Sequence, residues 1–502
     1  MLNCAMKRHP LRSANPRFTA SLLIPLLVAM AGCSTQPPYA ADAISAPTAW
    51  SAMQQEDPSE ATANVQWWRQ LHDPTIDALT GAALADNPTL ARAMAHVDEA
   101  RAQLGVSSAQ RLPTLSVNAG STRSRSLNTD SSDASTRTTT ATSVGIGPSW
   151  ELDLFGRIRN SVEASERKLD ARDADARAAH LSLTSQIASQ VLALRACEFS
   201  SMVLAEDIDS REKTLQLTRR RVTTGFVAPI EEARAISGLA TARTSLAARR
   251  QECARSANAL VALSGQPLDT VRALVFVPLS ASLPAAIGRD TRFGIDSVMP
   301  VAPRARLSLP AEVLAAHPSV VSAEREVAAA WAEIGVARAE RLPRLDLSAA
   351  LSGQWLHAAG TTLDYTAWSA GPALVGSLFD GGRGAANVAA AEARYRGAVA
   401  ALRIAVRSAA QETEDALAAV ASSDERRLTT HEAVVAARLV LEATEARWRA
   451  GAVSLFELED ARRQFAAAQD SAITAAQDSG QAWISLVRAS GNAAVTETAL
   501  SS

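Results

Sequence analysis

In Ser143-Val144-Gly145-Ile146-Gly147-Pro148-Ser149-Trp150-Glu151-Leu152-Asp153-Leu154, apolar Val144, Ile146, Trp150, Leu152 and Leu154 alternate with small or polar residues. A side-chain period of two marks a strand with one apolar and one polar face. Over ten or more residues it matches a transmembrane β-strand, although a half-buried strand of a soluble sheet alternates in the same way. Leu115, Val117 and Ala119 repeat the pattern against Ser116 and Asn118. Leu345, Leu347, Ala349 and Leu351 repeat it against Asp346, Ser348 and Ser352, and residues 365–378 carry a weaker version. Two strand pairs are expected, 114–125/142–154 and 344–355/365–378. The Ser- and Thr-rich link 126–140 and the shorter link 356–364 read as exposed loops.

Working outward, the strand pairs belong to an internal duplication. Leu84-Ala85-Asp86-Asn87-Pro88 returns as Leu314-Ala315-Ala316-His317-Pro318, and Arg111-Leu112-Pro113 as Arg341-Leu342-Pro343. Gly147-Pro148 recurs as Gly371-Pro372, Leu154-Phe155 as Leu378-Phe379, Gly225 as Gly451, and Ser264-Gly265 as Ser490-Gly491. Each unit opens with a helical stretch, 76–111 or 306–341, that a proline ends. After each strand pair comes a proline-free stretch, 158–221 or 383–448, rich in Ala, Arg, Glu, Leu and Val. At 1.5 Å per residue a helix of that length spans roughly 100 Å, the length of a coiled coil rather than of a globular core. Each is expected to turn at Gly225 or Gly451 and to return over 229–264 or 453–490. Pro229 suits the first turn of a returning helix.

The 502 residues are 47% hydrophobic and 20% charged, which excludes wholesale disorder, while the 4% of aromatic residues is low for a barrel or sandwich core. Lys and Arg number 50 against 52 Asp and Glu, so no basic field points to nucleic acid. After residue 32 no uninterrupted apolar run approaches the ~18 residues of a membrane helix. Residues 1–32 read as a signal peptide: Lys7, Arg8, Arg12 and Arg17 precede an apolar stretch from Phe18 to Met30. Its removal takes four positive and no negative charges, so the formal charge of −2 becomes −6. Met30-Ala31-Gly32-Cys33 looks like a bacterial lipobox, which implies thioether lipidation at Cys33. Ser34 beside it favours the outer membrane, and residues 34–49 look like a tether.

With Cys4 lost in the signal peptide and Cys33 lipidated, Cys197 and Cys253 remain, in an oxidising compartment. Cys197 lies 28 residues before Gly225 and Cys253 28 after it, at one height of an antiparallel hairpin. A disulfide bracing that hairpin is expected. Seven scattered histidines show no ligand spacing, so no metal site is expected. Asp380-Gly381-Gly382-Arg383-Gly384 lacks the P-loop Lys-Ser/Thr, and no nucleophile elbow or Cys-His set is present. No enzyme is expected, and no cofactor other than the lipid on Cys33.

Four strands cannot close a membrane barrel, and open sheet edges are not tolerated in lipid, so a membrane reading requires several chains. Residues 33–492 resemble the TolC-like outer-membrane efflux factors, in particular the NodT-type lipoproteins. The carrying features are Cys33, Trp67-Trp68-Arg69 with Asp73-Pro74 and Leu79, the Asn87-Pro88/His317-Pro318 pair, and both Arg-Leu-Pro motifs. Trp150 to Arg157, Leu378 to Arg383 and the two tip glycines complete the pattern.

The resemblance implies a mainly α fold with a membrane β-barrel portion: a homotrimer with a shared 12-stranded barrel and a periplasmic α-barrel of long helical hairpins. It implies a passive duct in the cell outer membrane, exporting small molecules from an inner-membrane pump through a periplasmic adaptor. Thr224-Gly225-Phe226 and Ala450-Gly451-Ala452 match the tips that meet the adaptor, although the family has Val before each Gly. Glu457 and Asp460 match an acidic ring at the periplasmic aperture, and Glu231 the acidic position in the first unit. Ordinary helix pairing with Arg462 or Arg463 would account for the same carboxylates. Val453 occupies the family's tip-arginine position.

The implied organisation is a signal peptide at 1–32, a tether and equatorial segment at 33–75, a first repeat at 76–265 with its hairpin at 157–265, an equatorial linker at 266–305, a second repeat at 306–491 with its hairpin at 382–491, and a tail at 492–502. A type I secretion duct and a periplasmic coiled-coil adaptor or structural lipoprotein are the competing readings.

Overall fold

The computed structural model describes residues 37–40, 47–51, 66–128, 135–276, 299–303, 307, 309–358 and 360–492. The signal peptide and Cys33 lie outside them. The labelled elements run α1 (Pro74–Asp86), α2 (Pro88–Ala109), β1 (Thr114–Asn128), β2 (Ser135–Leu152), α3 (Arg157–Thr223), α4 (Pro229–Ser264), α5 (Pro310–Ala316), α6 (Pro318–Ala339), β3 (Arg344–Ala358), β4 (Thr361–Val375), α7 (Arg383–Arg449) and α8 (Leu455–Ala489). The chain divides into two compact units, one built on Ala100–Leu169 and Arg325–Val399, the other on Asp42–Glu99, Asp170–Glu324 and Ala400–Ser502.

The first unit holds one antiparallel sheet in the order β1-β2-β3-β4. Register puts Val117, Ile146, Leu351 and Trp368 in one cross-strand row, with Leu115, Val144, Leu347 and Leu374 on the same face. The opposite face carries Ser116, Asn118, Gly145, Ser149, Ser348 and Ser369. The strands run further into the hairpins than their alternation suggested. Residues 126–128, 135–140, 356–358 and 361–364 are strand rather than loop, because Ser- and Thr-rich segments can still pair their backbones.

The other strand ends come early, at Leu152 and Val375. Asp153 leaves the ladder to accept hydrogen bonds from the Ile158 and Arg159 amides at 3.1 and 2.8 Å, opening α3. Asp380 does the same for the Gly382 and Gly384 amides at 2.9 and 2.7 Å, which hold its carboxyl below the usual range. Arg157 braces the first corner with two 2.8 Å bonds to Glu151.

The helical stretches before the strands are each broken in two. Pro88 and Pro318 cannot continue a helix but can begin one, so Asn87 and His317 cap α2 and α6. Asn87 Oδ1 accepts from the Thr89 amide at 2.9 Å, and His317 Nδ1 from the Ser319 amide at 3.3 Å.

In the second unit Trp67, Trp68, Leu71, Ile76 and Leu79 enter one apolar cluster with Val191, Leu194, Phe199, Leu260 and Trp483. Val271, Val275 and Met299, from the segment read as a linker, join it. Trp67 donates to Thr184 Oγ1 at 3.1 Å, and buried Asp73 pairs with Arg195. One 18-residue window of α3 reaches a mean hydropathy of 1.3, but 67% of it is buried, as befits a helix feeding this core. Cys197 and Cys253 are joined across α3 and α4, Cα to Cα 5.4 Å.

Candidate functional site at the hairpin tips

α3 and α7, each 67 residues long, end in the same way. Gly225 and Gly451 take φ of 77° and 75°, a left-handed conformation that costs glycine little. The following amides then reach back, Phe226 to Arg221 O and Ala452 to Arg447 O, both at 2.8 Å. Thr224 Oγ1 donates to Arg220 O at 2.8 Å, so threonine closes the last turn of α3. Phe226 stands 81% exposed at the apex.

Between the tips lies a cavity of about 780 Å³ lined by Arg221, Phe226, Glu231, Trp448, Ala450 and Leu455, among others. The Arg221 guanidinium sits 4.8 Å from the Trp448 ring centroid, a cation–π contact from α3 to α7. Leu215, Leu239, Leu455 and Leu458 pack beneath it.

The three acidic residues singled out from the sequence occupy different surroundings. Glu457 is exposed in the first turn of α8, where its amide donates to the capping Ser454 Oγ at 3.3 Å. Asp460, one turn on, is half-buried and takes bonds from Arg463 and from Gln464 Nε2 at 2.7 Å. Glu231 faces the cavity, with Oε1 bonded to Arg234 at 2.8 Å and a buried Oε2 without a hydrogen-bond partner. Glu457 and Asp460 do not line that cavity. Arg463, not Arg462, pairs with Asp460.

Arg462 turns inward, and with it comes a charge network that the sequence reading missed. Its guanidinium donates to Thr214 Oγ1 at 2.8 Å and Ser210 Oγ at 2.9 Å on α3, to Glu445 on α7 at 3.2 Å, and to Glu459 at 3.2 Å. Glu459 also takes a bond from Arg211, which reaches Asp207 at 2.7 Å. A signal was available. Leu455, Leu458, Arg462, Phe465 and Gln469 follow three- and four-residue spacing, so Arg462 and Gln469 are polar intrusions on an otherwise apolar seam.

A sheet with one apolar face and open edges, joined to paired long helices with a polar cluster at their tips, defines a β-barrel-forming channel protein of the outer membrane. The sequence profile of the family described as outer membrane efflux protein matches residues 79–266 and 309–492, so the chain belongs to that family. It is 28% identical over 458 residues to outer membrane protein OprJ of Pseudomonas aeruginosa, covering 89% of this chain and 90% of OprJ. Identity is 28% to the cation efflux system protein CusC of Escherichia coli K12 (88% and 92% covered) and 27% to the pyoverdine export outer membrane protein OpmQ of P. aeruginosa (93% and 96% covered). Among solved structures, the outer-membrane channel OprN superposes with a TM-score of 0.77 at 25% identity, covering 92% of this chain and 99% of that one. The protein is an outer-membrane efflux channel, mainly α with a membrane β-barrel portion. A family of outer-membrane efflux proteins and a matching outer-membrane channel structure set aside the periplasmic-adaptor reading.

Proposed function

We propose that three copies assemble into one passive duct, each giving four strands to a 12-stranded barrel and two hairpins to a periplasmic tube of helices. The observation that carries this is the sheet: β1 and β4 are edges unpaired within the protomer, beside a face whose central rows are apolar, and lipid cannot satisfy an open edge. Cys33 carries the lipid that tethers the N-terminus to the membrane. The tips Thr224-Gly225-Phe226 and Ala450-Gly451-Ala452 meet a periplasmic adaptor that joins the duct to an inner-membrane pump. Glu457 and Asp460, repeated by threefold symmetry, ring the aperture and favour cations over anions; Glu231 supplies the acidic group at the first tip.

Relatives named for cation efflux and for pyoverdine export match at nearly the same identity, which supports a duct whose cargo is set by the attached pump. That reading favours small-molecule efflux over type I protein secretion. Native mass spectrometry of the channel extracted from outer membranes tests the assembly. A lipidated trimer is expected; a monomer in the soluble periplasmic fraction would refute the duct. Cys33→Ser is expected to abolish metabolic lipid labelling, and retained labelling would move the anchor elsewhere.

A further inference from the structure

Two tryptophans stand toward the ends of the sheet's apolar face, with Trp368 midway between them. Trp150 lies in the row Trp150-Leu347-Pro372, toward the helical end. Trp355 lies in the row Ser121-Thr142-Trp355-Asp364, toward the hairpin turns. Trp150 and Thr142 are eight residues apart on β2, about 27 Å along the strand and roughly 20 Å once tilted. That is close to the ~25 Å apolar band of an outer-membrane barrel, whose edges tryptophan prefers. The next row outward is Arg123-Thr140-His357-Thr362, and Arg125 opposite Thr138 lies in the row beyond. Arg123, Arg125 and His357 therefore share the lipid-facing side just outside the distal tryptophan, and all three are exposed.

The charge there is one-sided. The described residues of β1 carry no carboxylate, and the one on β2, Glu151, is at the far end, bound to Arg157. Asp364 shares the face, but in the Trp355 row. Arg125 is pre-positioned, its Nε and Nη2 both donating to Thr136 Oγ1 at 3.1 and 2.9 Å. Arg123 has no ion-pair partner among the described residues. A guanidinium facing lipid is unfavourable at the bilayer midplane, nearly neutral at the interface, and favourable where phosphates meet it bidentately.

We propose that Arg123 and Arg125, with the Thr138 and Thr140 hydroxyls, form a binding site on each protomer for the phosphorylated headgroup of the outer leaflet's anionic glycolipid, the lipid A part of lipopolysaccharide. The proposal rests on the membrane orientation above, with the strand turns outward. Three such sites around a trimer would clamp the lipid shell to the barrel at the seams where one protomer's β1 meets its neighbour.

The test uses the full-length channel and purified lipid A, with dephosphorylated lipid A as comparison, and counts bound lipid by native mass spectrometry. The wild type is expected to retain lipid A and to bind it at least fivefold more tightly than the dephosphorylated form, with the preference weakening in high salt. Arg123→Gln/Arg125→Gln is expected to lose the preference. Arg137→Gln, on the opposite face, is expected to keep it. The connection 129–134 lies outside the described residues and contains Asp130 and Asp133. If the arginines serve those carboxylates instead, the double variant binds both lipids as the wild type does, and the proposal fails. A trimer that forms and inserts but does not discriminate the two lipids overturns the site and leaves the duct reading intact; a chain that forms no trimer overturns both.

Discussion

Arg211 on α3 donates to Glu459 on α8, so an ion pair crosses from the first hairpin to the second just behind the tips. Glu459 also holds Arg462, whose side chain is only 6% exposed and which reaches both α3 and α7. One carboxylate thus neutralises two inward-facing guanidinium groups. Asp207 and Glu445 remain as partial partners when it is removed, so Glu459→Gln is expected to cost about 2 kcal/mol, the scale of a hydrogen bond to a charged group. The loss falls at the tips. Faster amide exchange over 207–225 and 445–462, with the membrane strands unchanged, would confirm it; unchanged exchange at the tips would refute it.

The disulfide gives a second expectation. In the repeat register that carries Gly225 to Gly451, Cys197 falls on Ser423 and Cys253 on Ser479, and both serines are buried. The first hairpin is cross-linked where the second has a serine pair. Cys197→Ser/Cys253→Ser is expected to lose up to about 4 kcal/mol in the chain-entropy model for a loop closed over a separation of 56 residues. A melting temperature insensitive to reductant would contradict this. Ser423→Cys/Ser479→Cys is expected to close a matching bond in the oxidising periplasm, seen as the loss of two hydrogen atoms in non-reducing mass spectrometry.

At the aperture, Glu457 and Asp460 should not contribute equally. Asp460 is held by Arg463 and Gln464, whereas the Glu457 carboxylate is exposed in the first turn of its helix. If they line the pore, Glu457→Ala is expected to lower cation selectivity more than Asp460→Ala. Removing both should raise conductance in planar bilayers. Conductance and selectivity equal to the wild type would place both residues outside the ion path.

How far the sequence revealed this structure depended on the kind of interaction. The duplication, four strands and long hairpins were legible because side-chain period and the Gly and Pro positions are local signals. The disulfide partners followed from equal distances about Gly225. Strand ends were less legible: Thr136, Thr138 and Thr140 extend β2 through backbone pairing that composition does not advertise. The breaks at Pro88 and Pro318 were missed because the flanking apolar pattern continues across them. Of the tip residues, the glycines announced their turns, but two partners of Arg462, Thr214 and Ser210, lie on α3, 248 and 252 residues away in the chain. Sequence spacing relates Asp460 to Arg463; it carries nothing about Arg211 and Glu459.

His317 supplies a pH expectation whose sign is set by its cap. Burial lowers its pKa from the ordinary 6.5, and Glu412 opposes this more weakly. The neutral ring is also the one whose Nδ1 can accept the Ser319 amide and so cap α6. Because the folded state holds this proton less tightly than the unfolded chain, unfolding takes up a proton below the unfolded pKa. The stabilisation is therefore complete above about pH 6.5, falls as pH drops below it, and levels off beneath the lowered folded value. His317→Asn copies Asn87, the capping residue at the same place in the first repeat, which accepts the Thr89 amide without titrating in this range. The variant is expected to match the wild type near pH 7.5 and to lose less stability than it between pH 6.5 and 5. Parallel melting-temperature profiles across that window would show that His317 does not change protonation on unfolding.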